Sequence, residues 1–425
     1  MPPLNDHPLR HRLTSELHAR PFPVLTAPAM AAYLAIKHSP DDIARADAHD
    51  RLTALLDHYG APRPDAGATH YFGAMGKYTI KWEQHTEFVT YTVFQTGLSD
   101  RAFDPAEFEV FPRHWLDDMS GVCMTSALIR IMPRPAEDAR ILPQLDAWLV
   151  AESIAVADVL DGSAVIASDF RIDPAGHLRF AVYVSDTTGP GRVGRIVQRL
   201  CEIETYKSMS LLGFAKTREL AGPLNTLDTQ LNDLTGAMRS PEARTEETLH
   251  ALLDVSVALE QQGARSAYRF AATGAYAALV AERIAVLREA RFMGRQSFAE
   301  FMMRRYEPAM RTVKATEARL HAMSARAIRA SELLRTQVDV ERSAQNQAIL
   351  ASMDRRSDLQ LRLQHTVEGL SVVAISYYAV SLVGYLLYPL ADQLEVSKGT
   401  VTAAATLPVI GAVWLMLRRI KRHVE

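Results

Sequence analysis

The chain has 425 residues, 48% hydrophobic and 23% charged, which is enough for two or three domains with a buried core. Its formal net charge of −2 excludes nucleic acid as the main partner. Two cysteines, Cys123 and Cys201, are too few for a disulfide scaffold and fit a reducing compartment.

The opening MPPLNDHPLRHRL lacks the apolar core of a secretory signal, which predicts a cytoplasmic N-terminal part. Residues 1–30 read as extended, with a short helix ending before Pro21 in the stretch Glu16-Leu17-His18-Ala19-Arg20-Pro21-Phe22. His18, with Glu16 and Arg20, is expected to pack this arm onto a sheet. Residues 39–59 form an amphipathic pattern, with Pro40, Asp41 and Asp42 in the first turn and Gly60 after the end.

After a Pro/Gly/Asp linker the period changes to two. Tyr78, Ile80 and Trp82 alternate with Thr79, Lys81 and Glu83; Phe88, Thr90, Thr92 and Phe94 alternate with Val89, Tyr91 and Val93. These predict two antiparallel strands. Further strands are expected at 124–131, 155–160, 164–172 and 178–184, with a helix at 135–151 and a turn at Asp173-Pro174-Ala175-Gly176. The mixture predicts a mainly antiparallel α+β domain over residues 1–188.

From Gly189 the spacing is helical, with helices expected at 226–237, 241–262 and 264–293 and a very long one from near Ser297. Residues 311–368 contain neither Pro nor Gly, and at ~1.5 Å per residue that stretch would span roughly 85 Å. Its small inner stripe, Leu320, Met323, Ala327, Ala330 and Leu334, fits a heptad, and Ala344, Ala348 and Ala351 leave room for close helix approach. Residues 189–368 therefore read as a helical bundle with a long stalk helix, pairing with residues 264–293 or with other copies of the chain. Arg326, Arg329, Arg335 and Arg342 read as a solvated face.

Two uncharged apolar runs come next, 369–391 and 400–417. About 20 apolar helical residues cross the ~30 Å hydrocarbon core, so these predict a transmembrane hairpin in the lipid bilayer. Arg355, Arg356 and Arg362 flank the first run. Arg418, Arg419, Lys421 and Arg422 follow the second, in the basic tail 418–425. Basic flanks stay on the cytoplasmic side, so both termini are expected inside the bacterial inner membrane. Ser371, Tyr378, Ser381, Tyr385 and Tyr388 fall on one stripe of the first run: a pore-lining or oligomer seam, or an interface belt of tyrosines with serines bonded to their own backbone.

Two soluble clusters carry candidate chemistry. Gly189-Pro190-Gly191-Arg192-Val193-Gly194 matches G-x-G-x-x-G, but no second parallel strand comes after it, as a dinucleotide fold needs. An anion held by Gly191, Arg192, Gly194 and Arg195 at a helix start, or plain capping, remains. Glu83, His85 and Glu87 fit a divalent metal or acid–base work, or else ion pairs with Lys81 or Arg20. Arg195, Arg199, Glu202 and Glu204 have helix-neighbour spacing, including Arg199–Glu202, and read as salt-bridged. No nucleophile elbow, phosphate loop or zinc spacing is present. No cofactor follows from the residues.

Four stretches carry a resemblance: ELHARPF at 16–22, WEQHTEF at 82–88, GRIVQRLCEIETYKSMSLLG at 194–213, and the terminal hairpin. Together they resemble the family catalogued as domain of unknown function 3422, uncharacterised bacterial membrane-anchored proteins. The resemblance implies membrane attachment and no known activity. The architecture is also similar to CorA-type magnesium transporters, which are pentameric and carry Gly-Met-Asn at the outer end of the first span. Here that region reads Gly384-Tyr385-Leu386-Leu387-Tyr388-Pro389, without the signature. The expected role is a non-enzymatic, homo-oligomeric sensor, scaffold or tether, with a CorA-like channel as the alternative.

Overall fold

The computed structural model describes residues 6–11, 14, 22–38, 42–238, 245–393 and 397–424. Glu16, His18 and Arg20 lie outside the described residues. Two compact units emerge. The first spans Met1–Glu242 and His250–Ala330; the second spans Ala243–Leu249 and Ser331–Glu425.

The first unit is built on one nine-stranded mixed sheet, in the order β2-β3-β4-β1-β5-β8-β7-β6-β9. The strands are β1 Ala29–Lys37, β2 His70–Met75, β3 Tyr78–Gln84, β4 Phe88–Thr96, β5 Val122–Pro133, β6 Ala155–Val159, β7 Ala164–Ser168, β8 Leu178–Val184 and β9 Ala290–Arg291. Neighbours pair antiparallel except β5 and β8, which run parallel. The sheet is thus mainly antiparallel, as the alternation predicts, with one parallel seam at its centre.

Strand β1 lies in the middle of the sheet, whereas the sequence reads as extended only over residues 1–30 and no strand is expected there. Its run AMAAYLAIK does not alternate because both its faces are buried, and a doubly covered strand has no polar side to show. One face is closed by α1 (Asp42–His58), α2 (Arg113–Asp117) and α3 (Ile141–Trp148). Leu52, Leu55 and Leu56 of α1, Trp115 of α2 and Leu145 of α3 join Ile80, Trp82 and Tyr91 of the sheet in one core. Tyr91 meets Trp115 edge-on at 5.0 Å between ring centres, a favoured aromatic geometry.

The other face is covered by α4 (Pro190–Ala237), which lies along β5 and β8. Val193, Ile196, Val197, Leu200 and Ile203 form its buried stripe at helical spacing. Here α4 differs from expectation: no break precedes residue 226, and Pro223 sits inside the helix. Helix α5 (Thr245–Leu287) is likewise continuous through Gly263. It stops before residue 293 because Arg288 adopts φ +47° and the chain returns to the sheet as β9 against β6. The expected helix at 135–151 is shorter, starting at Ile141 after a single 3-10 turn.

Helix α6 (Phe298–Arg305) opens with a capping box: Ser297 accepts from the Glu300 amide, and the Glu300 carboxylate accepts from the Ser297 amide. Helix α7 runs unbroken over Glu307–Gln393. Leu320, Met323, Ala327 and Ala330 are buried in the first unit, as the heptad predicts. Leu334 and Val338, the next positions, are buried too, but the stripe then ends: from 339 to 367 every residue is exposed, Ala344, Ala348 and Ala351 among them. Helix α8 (Lys398–Val424) completes the second unit.

The helices that cover the sheet belong to the same compact unit as the sheet, and the second unit begins at Ser331. Gly194 makes this docking close. A Cβ there would lie 1.7 Å from the Pro23 carbonyl oxygen, and the Leu25 amide donates to the Pro190 carbonyl at 3.2 Å. Gly194→Ala should cost about 1–3 kcal/mol, the usual range for forcing extra atoms into a packed contact. Limited proteolysis of the full chain should then cut before Leu25 faster than in the parent; equal rates would show that the arm adjusts freely.

Candidate functional site

The alternation of β3 divides its side chains between two environments. Ile80 and Trp82 enter the apolar core, whereas Lys81 and Glu83 turn to the α4 face. In β4 the same division sends Val89, Tyr91 and Val93 to the core and Phe88, Thr90, Thr92 and Phe94 to the other side. Cross-strand register then aligns Lys81, Thr92 and Tyr33 in one row across β3, β4 and β1.

Opposite this row, Gln198, Cys201, Glu202, Thr205 and Tyr206 fall at i, i+3, i+4, i+7 and i+8 on α4, one helical face. Arg283 arrives from α5, and Phe22 and Pro23 from the N-terminal arm. Together they enclose a cavity of about 240 Å³.

The polar groups on its wall form a connected chain. The Lys81 ammonium lies 3.2 Å from the Glu83 carboxylate and donates to Gln198 Oε1 at 2.7 Å. The Gln198 amide donates to Glu202 Oε1 at 2.7 Å, and the Arg283 guanidinium donates to the other Glu202 oxygen. Lys81 is 4% exposed, a burial that lysine tolerates only when paired. Tyr33 and Thr205 share a hydrogen bond between their hydroxyls. Burial pushes the Tyr33 phenol and the Cys201 thiol far above their ordinary values, with the nearby Glu202 carboxylate adding to the second. Both groups are therefore neutral donors at pH 7, and Cys201 is not an activated nucleophile.

The structure brings together part of the acidic cluster that the sequence suggests. Glu83 and His85 line the cavity, as the alternation requires, and His85 stacks on Phe88 at 4.3 Å between ring centres. Glu87 departs from them. It is buried beyond the strand end, where it accepts from the Arg269 guanidinium and, at 3.0 Å, from the Tyr276 hydroxyl. A Glu83–His85–Glu87 metal triad is thus not assembled; among the described residues no three His, Cys, Asp or Glu side chains gather as a metal site. Alternation fixed the face of Glu83 and His85, but Glu87 follows the turn and answers to α5 instead.

Sequence spacing pairs Glu202 with Arg199; the structure turns Glu202 to Arg283 instead, 81 residues away. Glu204 does find a helical neighbour, Lys207 at 2.7 Å. The glycine motif is held by protein groups: Arg192 donates to Ser163 Oγ at 3.0 Å, Arg195 lies over the Phe22 ring at 5.9 Å, Gly191 sits in the first turn of α4 and Gly194 packs on Pro23.

In the second unit the tyrosine stripe does not share one environment. Tyr378 and Tyr385 are 68% and 80% exposed, Ser371 and Ser381 are half-buried, and Ser381 donates to the Tyr377 carbonyl at 2.9 Å. The Tyr388 side chain lies outside the described residues. The face turned inward carries buried Ser376 with half-buried Val372, Ala379, Val383 and Leu387. A Cβ on Gly384 would stand 3.8 Å from Thr402 Oγ1 of α8, so small residues set the approach of the two helices.

Removing one member of a buried ion pair strands the other, typically at about 3–5 kcal/mol. Arg269→Ala should lower unfolding stability by that order, because Glu87 is left buried and uncompensated. Arg291→Ala, at an exposed pair with Glu300, should change it by under about 1 kcal/mol. Chemical denaturation of the first unit's tryptophan signal reads both, and equal effects would remove the distinction.

The model of one protein family, described as "Protein of unknown function (DUF3422)", matches residues 5–424. No curated protein matches the chain. The family match gives no support to the likeness to CorA-type transporters.

Proposed function

The chain belongs to the DUF3422 family of unknown function, and on that premise we propose that it is an integral inner-membrane protein, a homo-oligomer that holds its mixed-sheet unit in the cytoplasm as a sensor, scaffold or tether. The observation that carries this reading is the state of the C-terminal helices. Their apolar windows, within Phe298–Leu387 and Gly399–Arg419, are only 6% buried by protein. Surfaces this apolar and this uncovered are what lipid solvates.

A third helix, Glu246–Leu287, is also long and apolar enough to cross a membrane. Its arginines argue for protein surroundings: Arg269 is paired with Glu87 and Arg283 with Glu202, both on the first unit. The hairpin is then the anchor, with Arg355, Arg356, Arg362, Arg418 and Arg419 as cytoplasmic flanks. Exposed Tyr378 lies near the middle of the first apolar run, where a hydroxyl in hydrocarbon is costly. In an oligomer a neighbouring copy would supply that hydroxyl with a partner. No catalytic residue is assigned in this reading.

The test uses the full chain. It should stay in the membrane fraction through alkaline carbonate, and a tag after Glu425 should be protease-accessible only in inverted vesicles. Release by carbonate, or digestion of the tag in intact cells, overturns the anchor. A monomeric mass in mild detergent overturns the oligomer.

A further inference from the structure

We propose that the cavity between β3, β4 and α4 is a binding site for a small zwitterion with an apolar body, the chemistry of an apolar amino acid. The inference rests on the first unit alone and does not depend on how the hairpin meets lipid; it supplies the input that a sensor role requires.

The wall carries two cations and two carboxylates in one line, Glu83–Lys81–Gln198–Glu202–Arg283. Buried ion pairs are weak contributors to stability, since well-packed apolar groups of the same volume do as well or better. Alternation with Trp82 turns Lys81 and Glu83 to this side, and Gln198, Glu202 and Arg283 meet them, but packing does not account for the open volume of about 240 Å³ left beside them. The volume is a little below the ~300–1,000 Å³ of typical ligand pockets, which sets the guest at metabolite size.

Charge balance selects the guest's class. The four ionised groups on the wall, Glu83, Lys81, Glu202 and Arg283, sum to zero, so a guest with net charge would leave a charge unmatched in a partly enclosed site; Arg283 also holds Glu282 outside the wall at 2.8 Å. A zwitterion does not: its carboxylate takes the Lys81 or Arg283 donors, and its ammonium takes Glu83 or Glu202. Phe22, Phe88, Phe94 and the Tyr206 ring add apolar surface beside the hydroxyls of Tyr33, Thr90, Thr92 and Thr205, and suit a hydrocarbon or aromatic side chain.

The test is titration calorimetry and thermal shift on the full chain in detergent. The probes are L-phenylalanine, L-leucine, L-methionine and L-tyrosine, with phenethylamine and 3-phenylpropionate as single-charge analogues of the first. At least one amino acid should bind and raise the melting temperature, and each analogue should bind at least about tenfold more weakly than L-phenylalanine. Glu202→Gln should weaken binding at least about tenfold. Thr92→Leu, which fills the cavity from β4, should abolish binding while leaving the unliganded melting temperature equal or higher. Failure of all four amino acids, equal affinity for either analogue, or undiminished binding by a folded Thr92→Leu protein overturns the proposal.

Discussion

A sheet covered on both faces has to reconcile two interiors, and this one does so strand by strand. On the α1–α3 face the interior is aromatic and dry, built on Trp82, Tyr91, Phe111 and Trp115. On the α4 face the centre of the sheet is equally apolar under Val193, Ile196 and Val197, but the β3–β4 end is charged. Because side chains alternate at a period of two, Trp82 cannot be in the first interior without Lys81 and Glu83 being in the second. The buried lysine is the other side of a well-packed tryptophan, and Gln198, Glu202 and Arg283 exist where they do to meet it.

That demand reaches into the helices. Arg283 and Arg269 lie on α5, one beside Glu202 and the other beside Glu87, so two ion pairs attach a single helix to the sheet side of the unit. Tyr276, between them in sequence, stacks on Tyr206 at 5.8 Å and donates to Glu87. A helix with long apolar stretches is thereby fixed by its few polar residues. Composition alone would class it with the C-terminal helices, whose apolar windows are almost uncovered by protein.

How far the sequence could be read depends on which signals are local. Alternation located β3 and β4 and put Glu83 and His85 on one face. The heptad located Leu320, Met323, Ala327 and Ala330, which are buried. Strand β1 escaped because a doubly buried strand has no alternation to detect. β9 escaped because two residues carry no period. The cavity escaped for a different reason: its second wall, from Gln198 to Tyr206, reads only as helix, and Arg283 is 81 residues from the carboxylate it meets. Spacing assigns Glu202 its helical neighbour Arg199, and only tertiary packing shows the longer-range partner. The i, i+3, i+4, i+7 run of polar residues at Gln198, Cys201, Glu202 and Thr205, interleaved with an apolar stripe, was the available hint that this helix buries two faces.

The close fit of Gly194 on Pro23 makes the front of the chain a jamb of the cavity rather than a loose end. Phe22 and Pro23 are part of the wall, and whatever is joined ahead of Phe22 begins one peptide bond from it. Trimming the chain past Pro23 would remove two residues of the wall itself. Comparisons of occupancy between preparations are therefore meaningful only when they share the same first two dozen residues.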